Sequence, residues 1–209
     1  MTSPSVPPLP EPEAQPRRRS RLLDSLIEIA TTVALAVILY FVIQTFLLQT
    51  FRVEQQSMLD SLLPDEHLLI DKLTPRFDDY SRGDIVVFHP PEAYSDGDGT
   101  PFIKRVIGEP GDHIEIRDDR VWVNGVQLDE PYVNPDYPTE PVEWDEYTVP
   151  EGELIVLGDH RNASRDSREF TSVPVGNVIG RAVLRFWPLD RLGILQTPTY
   201  PDIPAAPAG

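Results

Sequence analysis

The chain has 209 residues, 40% of them apolar, and no cysteine, so disulfides, thiolate catalysis and zinc–thiolate sites are excluded. Eighteen basic side chains against 34 acidic ones leave a formal net charge of −16. Arg17, Arg18, Arg19 and Arg21 balance the acids up to position 51, so residues 52 onward hold the whole excess, a poor surface for nucleic acid or anionic headgroups.

Residues 1–21 begin MTSPSVPPLPEPEAQP and end in the basic cluster RRRSR. So much proline with so little apolar bulk predicts a disordered tail. From Ile29 to Phe51 there are 23 residues without a charge. As a helix rising about 1.5 Å per residue, such a run covers roughly 35 Å, enough to cross a hydrocarbon core of about 30 Å. A transmembrane helix within residues 22–51 follows. A cleavable signal peptide has a shorter apolar core and a small-residue cut site, which FLLQTFRV does not offer. Because the arginines precede the span, the amino terminus is expected in the cytoplasm and everything after Phe51 outside it.

Residues 52–195 read as a mostly β domain, antiparallel in character. HLLIDKL (67–73), DIVVFHP (84–90), FIKRVIG (102–108), DHIEIRD (112–118), RVWVNG (120–125), LIVLGD (154–159) and VIGRAVLRFWP (178–188) are β-branched or aromatic runs between Pro, Gly and Asp clusters. VWVNGVQL predicts a tight hairpin, since Asn124 and Gly125 both tolerate the positive φ of a two-residue turn. Segment 129–153 is rich in Pro and acid and reads as a surface excursion. The tail 196–209, with its prolines and alanines, reads as disordered.

The four histidines, His67, His89, His113 and His160, make no i, i+3 or i, i+4 pair, so no metal site and no cofactor are expected. DGDG (96–99) lacks the alternating ligands of a calcium loop and reads as a turn. Lys104 is less ordinary. Phe102, Ile103, Val106 and Ile107 surround it, so one of Lys104 and Arg105 must face the apolar side of its strand. Lys104 is taken as the inward one, and alternation would then turn Arg105 toward solvent. Burial disfavours the charged amine, and a neutral amine can take a proton from a serine hydroxyl without any histidine. Ser57, in QQSMLDSL, is the candidate hydroxyl. GDHRNASRDSR (158–168) is a polar loop after an apolar strand, and its Ser164, Asp166 and Arg168 are suited to satisfying a buried amine and one another.

Ser57-Met58 with Leu62, RGDIVVFHPP (82–91), IKRVIGEPGD (103–112) and GDHRNASRDSR resemble, in order, the successive boxes of bacterial type I signal peptidase. The single span ahead of the serine and the VWVNGVQL hairpin resemble that family as well. The resemblance implies a membrane-bound endopeptidase that cuts signal peptides from translocated preproteins, with Ser57 as nucleophile and Lys104 as general base. It further implies that Ser164 orients the amine, and that Asp166 and Arg168 pair to brace their loop. The partners it implies are preprotein signal peptides and the lipid bilayer; it leaves oligomeric state open. Gln55 stands where the family commonly has Ser or Gly, and Asp60 and Ser61 replace a Pro-Thr pair. These departures motivate the alternative of an impaired relative that binds signal peptides without cutting them.

Overall fold

The computed structural model describes residues 21–42, 47–73, 77–95, 97, 99–140, 144, 146–204 and 206. The expected amino-terminal tail lies outside them save for Arg21, as do Asp96 and Asp98 of the DGDG stretch. The chain divides into two compact units, residues 1–42 and 43–209.

The first unit contains helix α1 (Arg21–Val42). From Leu23 to Val42 its 20 residues are long and apolar enough to cross a membrane, about 30 Å at 1.5 Å per residue. Leu26, Val33, Leu35 and Phe41 are all exposed, so no side of the helix is reserved for a protein core. Its two threonines satisfy themselves: Thr31 and Thr32 each donate back to the Glu28 carbonyl at 2.9 Å.

The helix expected over 22–51 is described only to Val42, and Leu48–Arg52 forms strand β1 instead. It pairs antiparallel with β2 (His67–Asp71), Leu48 opposite Asp71 and Arg52 opposite His67. An uncharged run ending in LLQTF suits a strand as well as a helix, and pairing with HLLID decides between them.

The other strands are β3 (Ile85–Phe88), β4 (Phe102–Gly108), β5 (His113–Arg117), β6 (Arg120–Val123), β7 (Val126–Gln127), β8 (Glu146–Thr148), β9 (Glu153–Leu157), β10 (Val173–Pro174), β11 (Val178–Trp187) and β12 (Gly193–Ile194). Helix α2 (Ser167–Phe170) is a single turn. One sheet runs β1-β2-β11-β3-β4-β9-β10 with β12 beside β11, and the other runs β7-β6-β5-β8. Every pairing among the described residues is antiparallel.

The Asn124-Gly125 hairpin forms, with φ of 51° and 80° between Val123 and Val126. Asp118 and Asp119 make a second two-residue turn between β5 and β6, both at positive φ, which aspartate tolerates because its short side chain bonds locally. Segment 129–153 is partly structured, since β8 adds an edge strand beside β5.

Strand β4 is central to the larger sheet, between β3 and β9, and all seven of its residues are buried. Both faces are covered, which removes the solvent side on which Arg105 was expected. The tail expected to be disordered over 196–209 also departs from that reading. Tyr200 and Ile203 pack on the third core cluster, and Leu195, just before the tail, packs on the first. Proline removes backbone donors without preventing an extended segment from seating its side chains.

Candidate active site

Ser57 sits in a loop whose ends are tied and whose middle is sunk. Val53 N donates to Glu66 O at 2.9 Å and Asp65 N to Val53 O at 2.8 Å, closing the neck just after β1. Between these ties Met58 and Leu62 are fully buried in the cluster with Leu68, Ile70 and Ile103. Leu62 N donates to Met58 O at 2.7 Å, a helical turn that fixes their spacing. Burying Met58 and Leu62 supplies roughly 1.5–3 kcal/mol each, which anchors the serine preceding them. Ser57 itself is 3% exposed.

Lys104 reaches this serine from β4, 47 residues along the chain. Its Nζ lies 2.8 Å from Ser57 Oγ, donates to Ile103 O at 3.0 Å, and stands 5.1 Å from the centroid of the Phe102 ring. The residue is 0% exposed, and among the described residues no carboxylate forms an ion pair with it. Burial drives its pKa down to about 8, with Asp166 and then Asp159 pulling it back up and Arg168 lowering it further.

The loop 158–168 leaves β9 and closes over the pair. Asp166 is fully buried, accepts from Gly158 N at 2.9 Å and Arg168 N at 3.2 Å, and caps α2. The Arg168 guanidinium holds the same carboxylate at 2.9 and 3.0 Å and reaches Arg161 O at 2.6 Å. His160 N donates to Ser57 O at 3.0 Å, so the loop grips the serine's backbone directly. Gly158 marks the closest approach: a Cβ there would lie 2.5 Å from Ser57 O and against the Ser164 side chain. Ser164 thus converges on the same point as Ser57. The hydrogen bond expected from Ser164 to Lys104 is not formed; the amine meets Ser57 and Ile103 O instead. The Ser164 Oγ is buried and without a partner.

Arg105 corrects the sequence reading. It is buried, donates to both oxygens of Asp159 at 2.9 and 2.7 Å and to Gly83 O at 2.8 Å, and lies 4.0 Å over the Tyr132 ring. The sequence reading also missed Arg161, fully buried, which pairs with Glu130 and bonds Thr139. Asn134 Nδ2 donates to Asp60 Oδ2 at 3.0 Å, so the excursion after Leu128 is tied to the serine loop as well. The available signal was the coincidence of a second basic residue in an apolar strand with aspartates downstream, because a buried guanidinium requires a carboxylate. Gln55 lines a cavity of about 250 Å³ with Thr50, Phe51, Glu54, Thr100 and Ile103.

An antiparallel β domain that holds a buried serine hydroxyl against a buried lysine amine has the arrangement of a serine hydrolase that works without histidine. Residues 26–187 match the family model described as signal peptidase, peptidase S26. A signal peptidase I from Leptolyngbya laminosa is 42% identical over 205 residues, covering 95% of this chain and 98% of that one. A probable signal peptidase I-2 from Synechocystis sp. is 38% identical over 186 residues, covering 88% of this chain and 83% of the other. A solved signal peptidase I from Enterococcus faecalis is 36% identical, with a TM-score of 0.41 over 50% of this chain and 97% of that chain. The chain belongs to the signal peptidase family, peptidase S26. It is a serine peptidase that cleaves signal peptides, and the alternative of an impaired relative is not favoured. The family and the apolar α1 together make it a membrane-anchored protein.

Proposed function

We propose that Ser57 is the nucleophile and Lys104 the general base of this peptidase. The observation that carries the reading is the 2.8 Å contact between Lys104 Nζ and Ser57 Oγ with the amine withdrawn from water. In its neutral form the amine accepts the hydroxyl proton along that contact, and Ser57 Oγ attacks the scissile carbonyl. The C–N bond then breaks, the departing amine takes the proton from Lys104, and the acyl group remains on Ser57. Lys104 next deprotonates a water, which hydrolyses the ester and restores the pair. Asp166 and Arg168 act by bracing the loop over the site. Ser164 orients the amine during turnover, a role supported by its buried and unpartnered hydroxyl at the Gly158 approach.

The partners of this reading are preproteins and the bilayer that carries them. The amino terminus lies in the cytoplasm and the β domain outside it, supported by the arginine cluster before the span. External protease should reach the β domain in intact spheroplasts, and digestion only after the cytoplasm is opened would reverse the orientation. The chemistry is tested with protein purified in detergent and one preprotein. Ser57→Ala should abolish the cut without unfolding the domain, while Ser61→Ala, at a hydroxyl that Arg105 meets at 3.4 Å, should cut at close to the parent rate. A Ser57→Ala protein with parental turnover would remove Ser57 from the reaction.

A further inference from the structure

The proposed chemistry makes no use of residues 196–204, yet the domain holds them at several points. Thr197 Oγ1 donates to Asp84 Oδ1 at 2.8 Å, Asn124 Nδ2 donates to Pro204 O at 3.0 Å, and Tyr200 and Ile203 pack against the third core cluster. From Tyr200 the contacts lead inward. Its hydroxyl donates to that of Tyr132 at 3.3 Å, and Tyr132 donates to Glu130 Oε1 at 3.2 Å. Burial raises the pKa of both phenols above the ordinary value, so both keep the protons this relay requires.

Two routes continue from Tyr132. Its ring lies under the Arg105 guanidinium at 4.0 Å, next in the chain to Lys104. Its partner Glu130 pairs with the buried Arg161, whose Nε donates to Gly158 O at 3.0 Å, at the point where Ser57 O and Ser164 converge. We propose that segment 196–204 is a positioning element for the Ser57–Lys104 pair, with Tyr200 as its contact residue and Tyr132 as the residue through which it acts. The proposal rests on the reading that Ser57 and Lys104 carry the chemistry.

The physical route runs through Asp159. The charged groups that act on the Lys104 amine are Asp166, Asp159 after β9, and Arg168 in α2. Its strand neighbour Arg105 reaches the amine only through Asp159, to which it is bonded. Releasing Tyr132 lets water reach the Arg105 guanidinium and loosens its hold on Asp159. The less compensated carboxylate then favours the charged amine, so less of it is neutral at a given pH.

The test uses the full chain in detergent with one preprotein and follows kcat, KM and the pH dependence of cleavage. Tyr200→Ala should move the midpoint of the rising limb alkaline by about half a unit or more and lower kcat at neutral pH about threefold, with KM nearly unchanged. Tyr200→Phe keeps the packed ring and drops only the hydroxyl, so it should fold as the parent does and shift the midpoint by less. Val173→Ala empties part of the second core cluster, remote in the chain from Tyr200, and controls for lost stability. It should lower the melting temperature and leave the midpoint in place. If both Tyr200 variants lose only stability and keep the parental midpoint and kcat per folded molecule, the segment is structural and the proposal is overturned. Failure of the Ser57–Lys104 reading is seen separately, as an active Ser57→Ala protein.

Discussion

Lys104 and Arg105 are neighbours on one strand, and both are withdrawn from water, but their surroundings differ completely. Around Arg105 the fold places both oxygens of Asp159, a backbone carbonyl and an aromatic face. Around Lys104 it places one hydroxyl, one carbonyl and the Phe102 ring and, among the described residues, no carboxylate in contact. A buried cation is either compensated or made easier to discharge, and β4 does each in turn. The guanidinium cannot shed its proton and is therefore paired; the amine can, and is left without a carboxylate in contact.

The largest effect should come from forcing the two positions to be alike. Lys104→Arg puts a permanent charge where the proposed reaction needs a proton acceptor, so cleavage of a preprotein should be lost at every pH at which the parent works. Turnover near the parental rate would mean that some other group accepts the proton.

Next comes removal of the compensation. Arg105→Ala leaves Asp159 buried and unpaired, at a cost of about 3–5 kcal/mol. At roughly 2–4 °C per kcal/mol for a domain of this size, thermal denaturation should show a fall of about 6–20 °C. Replacing the pair together, Arg105→Met with Asp159→Leu, should cost less than Arg105→Ala alone. A double variant as unstable as the sum of its singles would show that the two charges do not compensate one another.

The mildest effect is on the pH dependence of stability. Lys104 has a folded pKa of about 8 against an ordinary value of 10.5, so between those limits the unfolded chain holds a proton that the folded chain does not. Raising the pH through that window therefore stabilises the fold, and this contribution is lost progressively as the pH falls from about 10.5 to about 8, with no further change below. The stability of the parent relative to Lys104→Met should rise by up to about 3 kcal/mol between those limits. A flat difference in denaturant titrations would mean that the lysine keeps its ordinary pKa.

Much of this arrangement was legible in the residues. The Asn124-Gly125 turn needs positive φ twice, and few dipeptides supply it so readily; the seven long strands announced themselves by β-branched runs. Ser57, Lys104 and the 158–168 loop stood out because a lysine among apolar strand residues demands an explanation. Arg105 was misread for a physical reason. Alternation along a strand implies a solvent face only when one side of the sheet is open, and β4 is covered on both. Strand β1 was hidden inside an uncharged run whose far end pairs with β2, a contact that no local pattern records. Strands β8, β10 and β12, of three and two residues, are too short to show a period. The carboxy-terminal segment was hidden by its prolines, which signal the absence of helix and ladder without saying whether side chains find seats.

The bare Cα of Gly158, pressed against the Ser57 carbonyl, has a consequence for heredity. Any single-base change in that codon that alters the amino acid introduces at least a Cβ, 2.5 Å from a backbone oxygen that His160 holds in place. Backbone cannot step aside as a flexible side chain can. A saturation library at codon 158, selected for processing of an exported reporter, should return glycine almost alone, whereas the same library at codon 163, whose alanine is exposed, should return many residues. The recovery of alanine or serine at 158 with parental processing would show that the loop can yield after all.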